Sequence, residues 1–210
     1  MAEVLTKAGA FVAVIIMGNL LRRAGFFKEE DFYVLSKIVL KITLPAAIIS
    51  NFSGIDLKPS MLVMTLLGFG GGILYITMAF FMSIGKEREE RAFNVLNLPG
   101  YNIGNFTMPF AQSFLGPVGV VATSLFDTGN AFVCLGGAYS VAVVTKEKNA
   151  RFSLLPVVKT LLKSLPFDAY LIMTVLSFLH VALPAPITSF TGVIGNANAF
   201  MAMLMIGVGF

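Results

Sequence analysis

The sequence predicts an all-α protein that crosses a membrane several times. Hydrophobic residues make up 57% of its 210 residues, only 12% are charged, and the mean hydropathy is +0.85. Soluble globular chains carry about 25% charged residues, so the composition argues against a soluble fold. The apolar residues also fall in stretches that approach the ~20 residues a helix needs to cross a bilayer. The predicted fold class is therefore a polytopic helical membrane protein.

Seven apolar stretches are predicted to span the membrane. They occupy Val4–Leu21, Phe32–Phe52, Ser60–Ile84, Phe93–Leu115, Val118–Val144, Phe167–Ala182 and Thr191–Phe210. Arg22 and Arg23 follow the first stretch, where a signal peptide would have small residues at its cleavage site. This helix is therefore expected to remain in the mature protein. The third stretch holds a glycine cluster at residues 68–72, which favours close helix packing over a phosphate loop.

Basic residues are distributed unevenly between alternate loops. Eleven of them follow the first, third and fifth stretches: Arg22, Arg23, Lys28, Lys86, Arg88, Arg91, Lys146, Lys148, Arg151, Lys159 and Lys163. The opposite side has Lys7 and Lys58. Because cytoplasmic loops carry the excess of lysine and arginine, the N-terminus is predicted to lie outside and these three loops inside. The net charge of +4 thus reflects membrane topology, and no nucleic-acid partner is predicted.

The longest connection, residues 146–164, is predicted to be a cytoplasmic linker. Residues 154–162 within it look amphipathic, and Lys159 and Lys163 share one face. An interfacial helix whose lysines extend toward the lipid headgroups is favoured. A regulatory site is the alternative.

Two pairs of stretches indicate an inverted repeat. Residues 18–41 and residues 176–200 are each a span, a short turn and the start of another span, and they lie five spans apart. An odd number of crossings inverts the second pair relative to the first. We therefore predict a first five-helix repeat at residues 1–145, the linker at 146–164, and the start of a second repeat at 165–210. Because the sequence stops inside an apolar run, three further helices are expected to follow.

Residues that usually build metal or hydrolase sites are scarce. Cys134 is the only cysteine and His180 the only histidine. Neither belongs to a cluster with metal-ligand spacing, and no serine or cysteine hydrolase motif is present. The sequence therefore predicts no metal, no cofactor and no enzymatic reaction.

The fourth stretch contains helix breakers and amides between Pro99 and Pro109. Asn102, Gly104, Asn105 and Pro109 are predicted to form a break, because proline removes a donor and glycine permits unusual backbone angles. Broken backbone is tolerated in a membrane where it lines a cavity, and transporters build substrate sites from such helices. A half-helix beginning near Pro109 would direct its free amides at an anion. The alternative is a proline kink whose backbone groups are satisfied by neighbouring helices.

Four polar residues inside the predicted spans are further candidates for the cavity. Asp127 could carry a coupling proton, because an intramembrane carboxylate is costly unless it has a function. A structural pair with Lys41, which lies roughly 14 Å deep in the second span, is the alternative, and the sequence leaves both open. Asn130 shares a helical face with Asp127 and is predicted to orient the carboxylate or line the cavity. Gln112 is a candidate for the cavity wall.

Five short motifs succeed one another along the first five spans. They are Gly18-x-Leu20-x-Arg22-x-x-Gly25, Leu35-Ser36-Lys37 with Leu44-Pro45-Ala46, Asn102-x-Gly104 with Pro109, Phe114-Leu115-Gly116, and Phe126-Asp127-x-Gly129-Asn130. In this order they resemble the auxin efflux carrier family, which includes plant auxin exporters and bacterial permeases for organic anions. The resemblance implies ten helices in two inverted five-helix repeats, with the fourth and ninth helices broken near the membrane midplane. This chain would hold about seven of the ten.

The predicted function is a secondary transporter that moves a small organic anion by alternating access. The resemblance implies a carboxylate substrate, such as malate, malonate or an auxin-like acid, and any coupling cation is expected to be a proton. The protein is expected in the plasma or bacterial inner membrane, surrounded by lipid, and a homodimer is compatible with the resemblance. The alternatives are a seven-helix receptor or sensor, and an inactive fragment of the transporter.

Overall fold

The computed structural model describes residues 2–147 and 154–210, and nearly all of these residues are helical. The helices are α1 (Ala2–Arg23), α2 (Asp31–Phe52), α3 (Pro59–Met82), α4 (Arg88–Asn97), α5 (residues 103–115), α6 (residues 116–146), α7 (Leu155–Leu161), α8 (Leu165–Phe178), α9 (Ala185–Asn196) and α10 (Asn198–Gly209). No strand occurs in the described part of the chain, so the all-α prediction is confirmed. Lys148 and Arg151 of the predicted linker lie outside the described residues.

Five helical runs within the described residues are long and apolar enough to cross a membrane. They are Val4–Arg23, Asp31–Phe52, Pro59–Met82, Ile103–Lys146 and Ala185–Gly209. The pair α7 and α8, bent by 84°, would make a sixth. The fourth run has 44 residues, or about 66 Å at 1.5 Å per residue, which is twice the bilayer core of about 30 Å. Gly116, with φ of +64°, turns the chain between α5 and α6, so this run takes in two of the seven predicted spans.

The predicted fourth span, Phe93–Leu115, consists of two helices, as its predicted break requires. Its first half belongs to α4, which begins at Arg88 and carries charged residues in its first turn. α4 is not among the candidate spans. The second half of the predicted span is α5, and residues 98–102 between α4 and α5 are not helical. The interruption itself is therefore confirmed.

Two later boundaries were wrong. The predicted sixth span, Phe167–Ala182, stops at Phe178, because His180 adopts the left-handed conformation with φ of +52°. The predicted seventh span begins not at Thr191 but at Ala185, and Pro186 lies in the first turn of α9. Proline is favoured at that place, since the first N–H groups of a helix have no acceptor within it.

The helices pack into two compact units. Unit 1 consists of Met1–Leu57, Asn102–Thr123 and Ile172–Phe210, and unit 2 of Lys58–Tyr101 and Ser124–Leu171. This division follows packing, whereas the division at residues 145 and 165 concerns a repeat along the sequence. The repeat stays a prediction.

In unit 1, α1 and α10 cross at two glycines. A Cβ on Gly18 would lie 2.7 Å from the carbonyl oxygen of Leu204, and a Cβ on Gly207 would lie 2.1 Å from that of Ile15. Real Cβ atoms essentially never come that close. Only glycine therefore permits this approach of the two backbones, which is the small-residue packing expected between membrane helices.

The end of α1 gives a physical role to the glycine and the arginine of the first motif. Gly25 has φ of +78°, its N–H bonds to the carbonyl of Arg22, and the N–H of Phe26 bonds to that of Leu21. These bonds form a Schellman motif, whose left-handed position favours glycine. The Arg22 guanidinium donates to the carbonyl oxygen of Val208 at 3.0 Å, near the end of α10. The motif therefore ends one helix and caps another.

In unit 2, α3 and α6 cross in the same way. A Cβ on Gly68 would lie 2.0 Å from the carbonyl oxygen of Phe126, and a Cβ on Gly129 would lie 1.9 Å from that of Thr65. Gly72 is buried, whereas a Cβ added to Gly70 would have no atom within 4 Å. The predicted packing role of the glycine cluster is confirmed for the buried members. This crossing fixes the part of α6 that carries Asp127.

Candidate functional site

The break in the fourth apolar stretch lies earlier than predicted. The backbone leaves helical geometry after Asn97 and resumes it at Ile103, with Asn102 as the residue before the helix at φ of −89° and ψ of 71°. A half-helix beginning near Pro109 was therefore wrong, because Pro109 is buried inside α5. The carbonyl of Asn102 accepts the backbone N–H of Thr107 at 3.2 Å, so the first amides of α5 lie beside the break.

Prolines explain the irregular turns of two helices. The segments Val39–Thr43 in α2 and Ile103–Thr107 in α5 are π-helical, and Pro45 and Pro109 follow each of them by two residues. Proline cannot donate to the carbonyl four residues earlier, and its ring crowds that carbonyl. The wider π turn gives the carbonyl room. Because π-bulges occur frequently at functional sites, both segments are candidates for contact with a ligand.

Polar side chains of unit 1 gather on α2 and α5 and at the junction of α9 and α10. The Thr43 hydroxyl donates to Oδ1 of Asn198 at 3.0 Å, and Nε2 of Gln112 donates to the carbonyl oxygen of Gly195 at 3.2 Å. Asn198 is completely buried. Three amide atoms, Asn105 Oδ1, Gln112 Oε1 and Asn198 Nδ2, are buried without a hydrogen-bond partner among the described residues. Buried polar atoms are normally paired, so these atoms are suited to a polar ligand or to water.

The other two predicted residues of the break act through the backbone. Asn102 is exposed, and its carbonyl closes the first turn of α5. A Cβ on Gly104 would lie 2.9 Å from a methyl group of Leu44, so glycine permits α5 to approach α2.

Asp127 of unit 2 is held by two neutral donors. Nδ2 of Asn130 donates to one carboxylate oxygen at 3.0 Å, and the Tyr170 hydroxyl of α8 donates to the other at 2.9 Å. Asn130 and Tyr170 are buried, and Asp127 is half-buried. The predicted orienting role of Asn130 agrees with this geometry.

Lys41, the predicted partner of Asp127, is an exposed residue of unit 1. Asp127 belongs to unit 2, and its described hydrogen bonds come from uncharged side chains of that unit. The Lys41–Asp127 pair stays a prediction.

Sequence reasoning missed four polar residues, two of them in unit 1 and two beside Asp127 and Asn130 in unit 2. Thr43, Asn198 and Tyr170 come from helices whose packing the sequence does not reveal. Cys134 could have been predicted from its spacing. It lies seven residues after Asp127 and four after Asn130, which places all three on one helical face. Its Sγ lies 2.9 Å from Oδ1 of Asn130 and 2.7 Å from the carbonyl oxygen of Pro99.

Apolar helices of spanning length, an interrupted span and polar groups placed inside the spans together define a polytopic membrane transport protein. The family model described as "Membrane transport protein" matches residues 5–151. The chain therefore belongs to this family, which is that of the auxin efflux carriers. Comparison with curated proteins and with solved structures gave no match. Within the described residues no group of three or more histidine, cysteine, aspartate or glutamate residues could hold a metal ion.

Proposed function

We propose that this transport protein is a secondary transporter that moves a small organic anion, such as a carboxylate, by alternating access. The proposal rests on three buried amide atoms, one each from Asn105, Gln112 and Asn198, which have no hydrogen-bond partner among the described residues and lie next to a helix that begins at Ile103. Discontinuous helices of this kind form the substrate sites of many transporters.

The chemistry of these groups suits a carboxylic acid that also carries a hydroxyl group. The first amides of α5 have no acceptor within the helix, and a helix N-terminus attracts negative charge. Of the three buried amide atoms, Nδ2 of Asn198 can donate to a carboxylate oxygen, whereas Oδ1 of Asn105 and Oε1 of Gln112 can accept from an adjacent hydroxyl group. Neither Thr43 nor the amides bring a charge of their own to this group.

The polar residues Asp127, Asn130 and Tyr170 of unit 2 favour a proton as the coupling ion. Asp127 can gain and lose a proton, and the Tyr170 hydroxyl can rotate to accept a hydrogen bond when the carboxyl group is neutral. An ionisable group inside a membrane protein commonly belongs to an ion or proton pathway.

Transport can be tested with the full chain reconstituted in liposomes and supplied with radiolabelled malate, malonate or indole-3-acetate. We expect uptake of at least one of these acids, and loss of that uptake in Asn105→Leu. Asn97→Leu is the matched control, because Asn97 is exposed and its amide bonds within its own helix to Phe93. Saturable binding without uptake would favour the receptor alternative, and neither binding nor uptake would favour the inactive fragment.

Proton coupling can be tested by measuring the same uptake with and without an inward pH gradient. Asp127→Asn keeps the shape of the side chain and should abolish the stimulation by the gradient. Asp168→Asn is the control, since Asp168 lies in the first turn of α8 in the same unit. If Asp127→Asn kept the full stimulation, this carboxylate would not be the coupling group.

A further inference from the structure

A continuous chain of hydrogen bonds in unit 2 leads from α8 through α6 to the broken backbone. The Tyr170 hydroxyl bonds to Asp127, Asp127 accepts Nδ2 of Asn130, and Oδ1 of Asn130 faces Sγ of Cys134. The same sulfur faces the carbonyl oxygen of Pro99 at 2.7 Å. All five residues belong to unit 2.

The Pro99 carbonyl needs a partner because it lies where the helix has stopped. α4 ends at Asn97, so the carbonyl of Pro99 lacks the N–H that a continuing helix would supply. Lipid cannot replace that donor. The thiol of Cys134, in the π segment Val133–Gly137 of α6, is the side chain that reaches it.

The thiol has two acceptors and a single proton. The side chain of Cys134 can donate one hydrogen bond through its S–H group and can accept one at its sulfur. Both Oδ1 of Asn130 and the carbonyl oxygen of Pro99 can only accept, so the S–H group can bond fully to one of them at a time. Cys134 can therefore adopt two hydrogen-bonding states without any movement of the backbone.

The charge of Asp127 would bias this choice. When the carboxylate is ionised, it polarises the Asn130 amide through Nδ2, which makes Oδ1 a stronger acceptor. The thiol then turns toward Asn130 and releases the Pro99 carbonyl. When the carboxyl group is neutral, Oδ1 is a weaker acceptor and the thiol bonds to Pro99. The titratable groups that face Asp127 within unit 2 are Tyr170 from α8 and Cys134 from its own helix.

We propose that Cys134 and Tyr170 are positioning residues that connect the charge of Asp127 to the backbone at the break. Tyr170 fixes one carboxylate oxygen, Asn130 transmits the charge, and Cys134 holds or releases Pro99. The role in transport rests on the proposed function, whereas the hydrogen-bonded chain can be tested without it.

The S–H stretching vibration of Cys134 gives a direct measurement. It absorbs in an infrared window free of other protein vibrations, and Cys134 is the only cysteine, so the full chain in liposomes yields one band. Cys134→Ser should remove that band and thereby assign it. Asp127→Asn should shift the band, because the neutral side chain polarises Asn130 less. Tyr170→Phe should shift it in the opposite direction, because the carboxylate then bonds more strongly to Asn130.

The route of the connection can be tested with Asn130→Leu. In this background the thiol keeps Pro99 as its acceptor, so adding Asp127→Asn should leave the band in place. Asp168→Asn is the control and should not shift the band in either background. Identical bands in the unmodified chain and in Asp127→Asn would overturn the inference even if Asn130→Leu failed to fold. An equal shift in the Asn130→Leu background would assign the coupling to another route and would also overturn it.

Transport gives a second readout that separates positioning from folding. Cys134→Ala should lower the maximal uptake rate several-fold with an unchanged KM, and Cys134→Ser, which keeps a donor, should restore most of it. Equal rates in Cys134→Ala and the unmodified chain would reject the role in transport. A chain that transports none of the labelled acids but shows the predicted band shifts would refute the proposed function and leave the hydrogen-bonded chain standing.

Discussion

Substitution of Gly68 by alanine tests whether the close packing of α3 against α6 requires glycine at their point of contact. A Cβ at this position would lie 2.0 Å from the carbonyl oxygen of Phe126, whereas ordinary contact begins at 3.4 Å. The two helices would have to separate by about 1.4 Å, the difference between these two distances. Overpacking of a tight interior contact costs about 1–3 kcal/mol. For a chain of this size, 1 kcal/mol corresponds to about 2–4 °C, so the unfolding temperature should fall by about 2–12 °C.

The unfolding temperature can be followed in detergent with a dye that fluoresces on reaction with a thiol. Cys134 is the only cysteine and is half-buried, so its reaction reports opening of unit 2. Gly70→Ala is the matched control on the same helix, because no described atom beyond the neighbouring backbone of α3 itself lies within 4 Å of the added Cβ. This control should leave the temperature unchanged or raise it slightly, since alanine favours helix more than glycine does.

The double substitution Gly68→Ala with Gly129→Ala gives a further test of the same contact. Once the first Cβ has separated the helices, the second finds more room, so the combined loss should be smaller than the sum of the two single losses. The reasoning would be refuted if Gly68→Ala and Gly70→Ala unfolded at the same temperature, or if the two glycine losses were simply additive.

Two further substitutions test contacts of unit 1. Thr43→Val removes the donor to the completely buried Asn198 and should destabilise the protein by about 1–3 kcal/mol; an unchanged unfolding temperature would contradict the assigned bond. Arg22→Gln removes the charged donor to the carbonyl of Val208 and should speed amide hydrogen exchange in the last turn of α10, whereas Arg23→Gln, on an exposed neighbour, should not. Equal exchange in both variants would show that Arg22 does not cap this helix.

The apolar pattern predicted both ends of each of the first three spans to within two residues, because long unbroken apolar stretches determine membrane helices directly. The fourth span was different, since its first residues belong to α4, which begins at Arg88 ahead of the predicted start at Phe93, while its second half is the apolar α5. The sequence located the interruption from Pro99 and Asn102 but placed the new helix start at Pro109. Proline at that position is compatible both with a helix start and with the inside of a helix after a π turn. Sequence pattern alone does not distinguish these two cases.

The candidate site was predictable where its members share one helix. Asn130 could be paired with Asp127 from their spacing of three residues, and the structure has this bond. Tyr170 and Asn198 could not be found, because they reach their partners from helices 43 and 155 residues away along the chain. The family motifs also acquire physical reasons in the structure. Gly18 permits a helix crossing, and Gly25 ends a helix in a left-handed turn.

The π segment of α2 has a consequence for the register of that helix. An α-helix advances by about 100° per residue, so the extra residue of a π turn rotates everything after it by about that angle. Leu35 and Ala47 are twelve residues apart and would lie about 120° apart on a regular helix, whereas the π turn at Val39–Thr43 brings them to within about 20°, and both are buried. Deletion of one residue within the segment would therefore restore a regular helix without turning the later side chains away from their neighbours. Sequence comparisons that place a one-residue gap at this position would consequently align residues with the same surroundings.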